Sequence, residues 1–178
     1  MSMEHDVVAG AIGGLAGGLV MTAVMTAGKQ TGMIEQPLPL KFEREFEERA
    51  GIQERPGPTQ AMVLSQAEHL VFSAALGAGY GALQSALDVP AIPAGPLYGL
   101  GVYAVVLGGI GPALDVTAGP WNEKPTTAGR RMMMHAVYGT VTALVFERAR
   151  DWLDERAEQA ERAEVIDQEE RRVYVAAD

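Results

Sequence analysis

The sequence of 178 residues contains no cysteine, and it has only 14 lysines and arginines against 23 aspartates and glutamates. The absence of cysteine excludes disulfides, thiol catalysis, zinc–cysteine sites and iron–sulfur clusters. The formal net charge of −9 argues against a nucleic-acid partner, because a nucleic-acid-binding protein needs a basic face. The length allows one domain, or one domain with an appendage.

Charge is also missing from long parts of the chain. Two segments, 29–55 and 148–178, hold 27 of the 37 charged residues. The rest of the chain falls into four nearly uncharged stretches. A helix needs about 20 apolar residues to cross a hydrocarbon core of about 30 Å. We predict transmembrane spans at about 7–28, 61–87, 94–114 and 127–147.

These spans predict an all-α polytopic membrane protein. Its four-helix transmembrane domain covers residues 1–147, and a charged helical tail covers 148–178. A soluble bundle of apolar helices is the alternative, and it is disfavoured because the first and third stretches carry no charge on any face. A cleaved signal peptide is disfavoured because no basic residue precedes the first stretch.

The first charged segment contains a short amphipathic pattern. Phe42 and Phe46 are four residues apart and therefore share one helical face, with charged residues around the rest. This pattern predicts a short helix at about 41–50 that lies on the membrane surface. An ordinary solvent-exposed helix is the alternative.

Glycine is frequent, although a glycine inside a soluble helix costs about 1 kcal/mol relative to alanine. In a membrane, small residues four positions apart let two helix backbones approach closely. The glycines predicted to pack helices in this way are Gly10, Gly14, Gly18, Gly95 and Gly99. A phosphate-binding glycine loop is disfavoured, because no strand precedes these runs.

The second and fourth stretches resemble each other. Each opens with a Pro-Thr pair, and a histidine, His69 or His135, follows ten or eleven residues after the proline. We interpret this as two copies of a two-helix unit, which are parallel because each contains two spans. Thr59 and Thr126 are predicted to be N-caps.

Polar side chains surround the two histidines at helical spacing, and ionisable residues within a membrane usually face the bundle interior. The candidate polar intramembrane site comprises His69, Glu68, Ser73, Tyr80, His135, Tyr138 and Thr142. Three interpretations stay open: hydrogen bonding between helices, a path for protons or small solutes because histidine titrates near neutral pH, and a bis-histidine metal or haem site. No third metal ligand and no haem-attachment motif is evident, so no metal, cofactor or catalytic residue is assigned.

Several motifs together resemble the YagU-like family of small multi-pass bacterial inner-membrane proteins, a family of unknown function. The resemblance covers about residues 7–147 and includes a proline-containing link after a glycine-rich first span. The positions that match are His69, Tyr80, Gly99, His135 and Gly139. The resemblance implies a multi-pass membrane protein without established catalytic residues and with a proposed link to acid stress, and the charged tail departs from the family pattern.

We therefore expect a non-enzymatic structural or stress-related protein of the inner (plasma) membrane, embedded in the lipid bilayer. Association into a homo-oligomer or a larger membrane complex is part of this expectation. The alternatives are a small proton or solute channel that uses the histidine pair, and a bis-histidine metal or haem protein. Eight lysines and arginines in the two long loops, against four near the tail, favour loops that face the cytoplasm.

Overall fold

A computed structural model of the chain describes residues 2–30 and 57–176, together with Glu48 and Gly51. The surface helix predicted at about 41–50 lies, apart from Glu48, outside the described residues.

The described residues form helices and contain no strand, which confirms the predicted all-α class. The four long helices are α1 (Met3–Gln30), α2 (Pro58–Leu87), α3 (Ala91–Val105) and α4 (Pro125–Ala176). At the end of α3, a π turn (Val106–Ile110) leads into a last helical turn (Gly111–Ala113), and a 3-10 turn (Pro120–Asn122) precedes α4.

Three helical segments are long and apolar enough to cross a membrane. They are Met3–Gly28, Thr59–Leu87 and Ala91–Ala113. Their outward faces expose large apolar side chains, such as Leu19, Val71 and Ile92. Exposing each such side chain to water instead of burying it would cost about 1.5–3 kcal/mol of free energy. In hydrocarbon, the same exposure costs nothing. The chain therefore has the surface of a membrane protein.

Both predicted N-caps are wrong, because each threonine is the second residue inside its helix. α2 begins at Pro58 with Gly57 as its N-cap, so Thr59 lies inside the first turn. α4 begins at Pro125, so Thr126 is also helical. The reason is that proline is well suited to the first helical position, where its missing N–H has no partner to lose.

α1 and α2 run antiparallel with their backbones in contact. A Cβ atom on Gly77 would overlap the carbonyl oxygen of Gly10 and would lie 2.5 Å from the Cα of Gly14. One turn further along, a Cβ on Gly18 would lie 2.7 Å from Ser73 Oγ. Only a hydrogen atom fits between the two helices at these positions.

α3 and α4 meet through a second seam of the same kind. A Cβ on Gly95 would lie 2.8 Å from the carbonyl oxygen of Gly139, and one on Gly99 would overlap the carbonyl oxygen of His135. The glycines predicted for packing in α1 and α3 therefore all lie at contacts between helices.

A third seam joins α1 to α4 on the other side of α1. A Cβ on Gly17 would lie 2.8 Å from the carbonyl oxygen of Tyr138. α2 and α3, by contrast, meet through side chains: the Tyr98 hydroxyl donates to the Leu76 carbonyl oxygen at 2.5 Å, and the rings of Tyr98 and Tyr80 have centroids 5.0 Å apart. The bundle therefore has three backbone seams and one side filled by aromatic rings.

Gly77→Ala tests the backbone contact between α1 and α2. We expect its free energy of unfolding in detergent micelles to fall by about 1–3 kcal/mol, because the added methyl group forces two packed helices apart. Gly101→Ala is the control: a Cβ there meets no atom within 4 Å, and alanine favours the helix. Equal unfolding energies for the two variants would contradict the contact.

Candidate functional site

One face of α2 carries polar side chains along almost its whole length. Their spacing of four, four, seven and four residues keeps them on one side of the helix. They are Ser65, His69, Ser73, Tyr80 and Gln84. Four of the five are buried inside the bundle and His69 is half-buried, so this face points inward rather than toward lipid.

α4 brings a second set of polar groups to the same interior. His135, Tyr138 and Thr142 are buried. The Tyr138 hydroxyl crosses to α2 and donates to the Ser73 carbonyl oxygen at 2.8 Å, while the Thr142 hydroxyl donates to the Tyr138 carbonyl oxygen of its own helix at 2.8 Å. The predicted site residues of α2 and α4 thus face each other.

The two histidines lie at the same end of the bundle. His135 Nδ1 is 2.8 Å from the carbonyl oxygen of Arg131, and its ring packs edge-on against Tyr103 with centroids 5.4 Å apart. Each histidine lies about one turn before a residue of the contact between Tyr138 and Ser73. The structure therefore places the two histidines at a similar depth in the bundle.

The structure does not bring Glu68 into this set. Glu68 is exposed, because adjacent residues on a helix point about 100° apart and His69 faces inward. The 20 residues from Glu68 to Asp88 span about 30 Å along α2, which matches the thickness of a hydrocarbon core. The segment between these two acidic residues is therefore long enough to cross such a core.

Four buried polar atoms near His69 have no hydrogen-bond partner among the described residues. They are Thr22 Oγ1, Ser65 Oγ, Gln66 Oε1 and His69 Nε2. Because Gly18 lies against Ser73 and the helices are antiparallel, Thr22 lies opposite His69 one turn further along. A buried polar atom left unpaired costs about 1–3 kcal/mol, so this end of the interior favours water or another small polar species.

The opposite end carries a group of charged residues that we call the charged cap: Asp6, Asp88, Glu147 and Arg150. Arg150 Nε lies 2.9 Å from Asp6 Oδ1, and Arg150 Nη1 lies 3.5 Å from Asp88 Oδ1. Glu147 Oε1 accepts a hydrogen bond from the amide of Ala91 at 3.1 Å. The Asp6 side chain is only 4% exposed, and Arg150 supplies the counter-charge for its carboxylate.

Gln84 connects the charged cap to the polar interior. Its side-chain amide donates to the Val89 carbonyl oxygen at 2.9 Å and to the Tyr80 hydroxyl at 2.6 Å, and its Oε1 accepts from the Val89 amide at 3.0 Å. A cavity of about 330 Å³ opens here, and its lining includes Gln84, Glu147 and Arg150.

The charged cap was missed by the sequence analysis. Asp6 and Arg150 flank the first and fourth uncharged stretches, and this position was the only sign of them in the sequence. Their pairing depends on α1 and α4 being neighbours, which the sequence does not show. Among the described residues, no group of three or more histidines, cysteines, aspartates or glutamates is placed to hold a metal ion. The bis-histidine hypothesis therefore has His69 and His135 as its protein ligands.

Comparison of the chain with models of protein families, with curated proteins and with solved structures finds no match.

Arg150→Gln tests the charged cap. We expect a loss of about 3 kcal/mol in the free energy of unfolding, because the buried Asp6 carboxylate loses its counter-charge. Arg162→Gln is the matched control, since Arg162 pairs with Glu158 on an exposed helix and its loss should cost less than about 0.5 kcal/mol. Adding Asp6→Asn to Arg150→Gln should recover part of the loss; no recovery would contradict the pairing.

Proposed function

We propose that this is a non-enzymatic structural protein of the inner (plasma) membrane, whose four-helix bundle holds a charged helical arm at a fixed place on the membrane surface. The arm is residues 155–176. The observation that carries the proposal is that α4 is one uninterrupted helix of 52 residues, about 78 Å long, which begins in the bundle and ends far outside it.

Contacts with α1 and with the core of the bundle hold α4 where the arm begins. His5 Nδ1 of α1 lies 2.9 Å from Asp154 Oδ1, one turn after the contact between Arg150 and Asp6. Leu153 packs against the buried core of the bundle. These contacts fix the direction in which α4 leaves the bundle.

Beyond Asp154, every described side chain is exposed. Pairs four residues apart support a solvated helix, as in Arg162 with Glu158 at 3.5 Å and Arg171 with Asp167 at 2.9 Å. The arm also exposes Val165 among these charges. An exposed helix that adds nothing to the core supports a role in contacts with other molecules, either a second copy of this chain or a larger membrane complex.

The same proposal includes four membrane crossings arranged as two copies of a two-helix unit. The repeat in the sequence aligns Ser73 with Gly139. Gly14 of α1 lies against Ser73, and Gly95 of α3 lies against Gly139, so both units place their seam at the corresponding position. The relationship to the YagU-like family is part of this proposal and is supported by the motifs alone.

The fourth crossing is supported by the start of α4. Its first turns carry Arg130 and Arg131, and Arg131 forms an ion pair with Glu123. From Arg131 to Glu147 the helix rises about 24 Å, so both ends fall close to the boundaries of a hydrocarbon core. Arginines at such a boundary extend their side chains into the headgroup region.

Val137→Lys tests the fourth crossing. Val137 and Val165 are 41% and 50% exposed on the same helix, and only Val137 would face lipid. We expect Val137→Lys to lower the free energy of unfolding in lipid bilayers by about 2.5–3.5 kcal/mol, because a lysine within the membrane carries this cost. Val165→Lys should have no effect, and equal unfolding energies for the two variants would contradict the fourth crossing.

The arm is tested by the distance between two spin labels. The absence of native cysteine lets Glu155→Cys and Arg171→Cys be labelled alone. We expect a narrow distance distribution centred at about 24 Å between the two backbone positions, as 16 residues of helix require. Ala163→Pro breaks the helix between the labels and should broaden the distribution. A parent protein with a distribution as broad as that of the proline variant would overturn the rigid arm.

A further inference from the structure

We propose that the bundle conducts protons along a polar line that joins the histidine pair at one membrane boundary to the charged cap at the other. The polar line comprises Ser65, His69, Ser73, Tyr80 and Gln84 of α2, Tyr98 of α3, and His135 and Tyr138 of α4. This inference uses the placement of the bundle in the membrane but not the arm, so either can fail without the other.

The polar line has the length that such a path requires. From Ser65 to Gln84 the helix rises about 28 Å, close to the thickness of a hydrocarbon core of about 30 Å. Buried polar residues are costly in a membrane, and a chain that needed only packing would fill this face with apolar side chains. Ser65, which is 2% exposed, shows the cost directly because its hydroxyl has no partner among the described residues.

The first half of the polar line runs from the histidines to the middle of the bundle. His69 and His135 lie at a similar depth, each about one turn before a residue of the contact between Ser73 and Tyr138. Tyr138 lies one turn beyond His135, and its hydroxyl donates to the Ser73 carbonyl oxygen at 2.8 Å. The Tyr98 hydroxyl binds the Leu76 carbonyl oxygen, three residues from Ser73, so the two phenols bind α2 within about one turn of each other.

The second half runs from Tyr98 to the charged cap. The Tyr98 hydroxyl donates to the Leu76 carbonyl oxygen at 2.5 Å, and its ring packs 5.0 Å from that of Tyr80. The Tyr80 hydroxyl accepts from Gln84 at 2.6 Å, and Gln84 lines the 330 Å³ cavity beside Glu147. From Tyr138 to Gln84, each group of the polar line thus contacts the next one or binds α2 within about one turn of it.

The chemistry of the polar line fits a proton better than a hydrated ion or a solute. The phenols of Tyr138 and Tyr98 each donate to a backbone carbonyl and keep lone pairs that can accept from water. Hydroxyls and imidazoles can pass a proton from one to the next through bound water, and the rings of Tyr80 and Phe146, whose centroids are 5.4 Å apart, pack edge to face beside the polar line. The proton enters at an imidazole and leaves into the cap cavity, and a compensating ion current balances its charge.

Proton flux into liposomes tests the proposal. The full chain is placed in vesicles of phosphatidylcholine and phosphatidylglycerol with a pH dye inside, and valinomycin with a potassium gradient supplies the driving potential. We expect faster acidification than in protein-free vesicles. Tyr80→Phe and Ser65→Ala should each slow it by roughly tenfold, the effect of losing one buried hydrogen-bonding group on the path.

Ser85→Ala is the matched control for Ser65→Ala, because it removes an exposed hydroxyl from the same helix. It should conduct like the parent protein. Equal acidification in vesicles with and without protein, or equal flux in Tyr80→Phe, Ser65→Ala, Ser85→Ala and the parent protein, would overturn the proposal.

Ser65→Ala also separates conduction from packing. Because the Ser65 hydroxyl has no partner among the described residues, its removal should leave the free energy of unfolding unchanged or raise it. A slower flux in a variant of undiminished stability therefore supports a path, and it does not depend on whether Tyr80→Phe folds. A flux that follows stability across all variants would assign these groups to packing alone.

Discussion

Contact between helix backbones is the constraint on which this structure depends. A helix can approach another so closely only along a face of glycines, and α1 has two such faces, one with Gly14 toward α2 and one with Gly17 toward α4. In lipid, where apolar side chains gain nothing by leaving one apolar surface for another, this close approach is a main source of association. It also fixes how each helix is rotated, and that rotation decides which side chains face inward.

The two ends of the bundle are chemically different as a result. At one end, charged groups of α1 and α4 lie together, with Arg150 Nε 2.9 Å from Asp6 Oδ1, and Gln84 makes three hydrogen bonds. At the other end, buried polar atoms of Ser65 and His69 have no hydrogen-bond partner among the described residues. The second end therefore favours a small polar partner, such as water, at these atoms.

The sequence predicted those parts of the structure that depend on patterns within a single helix. Uncharged stretches predicted the helices, and the four-residue spacing from Gly10 to Gly18 predicted the seam, because periodicity is a property of one helix. The pairing of Asp6 with Arg150 was beyond reach, since it depends on which helices are neighbours. Glu68 was placed in the site because it adjoins His69 in sequence, but adjacent residues of a helix face different ways, and the structure leaves it exposed.

α4 is a single helix without a break, and this continuity affects the arm. Gly139 is fixed in its seam, so α4 cannot turn about its own axis without breaking backbone contact. From Gly139 to Ile166 are 27 residues, which at about 100° per residue carry Ile166 roughly half a turn away from the seam. Gly139 thus sets the direction in which the exposed Ile166 side chain points, although the two residues are about 40 Å apart along the helix.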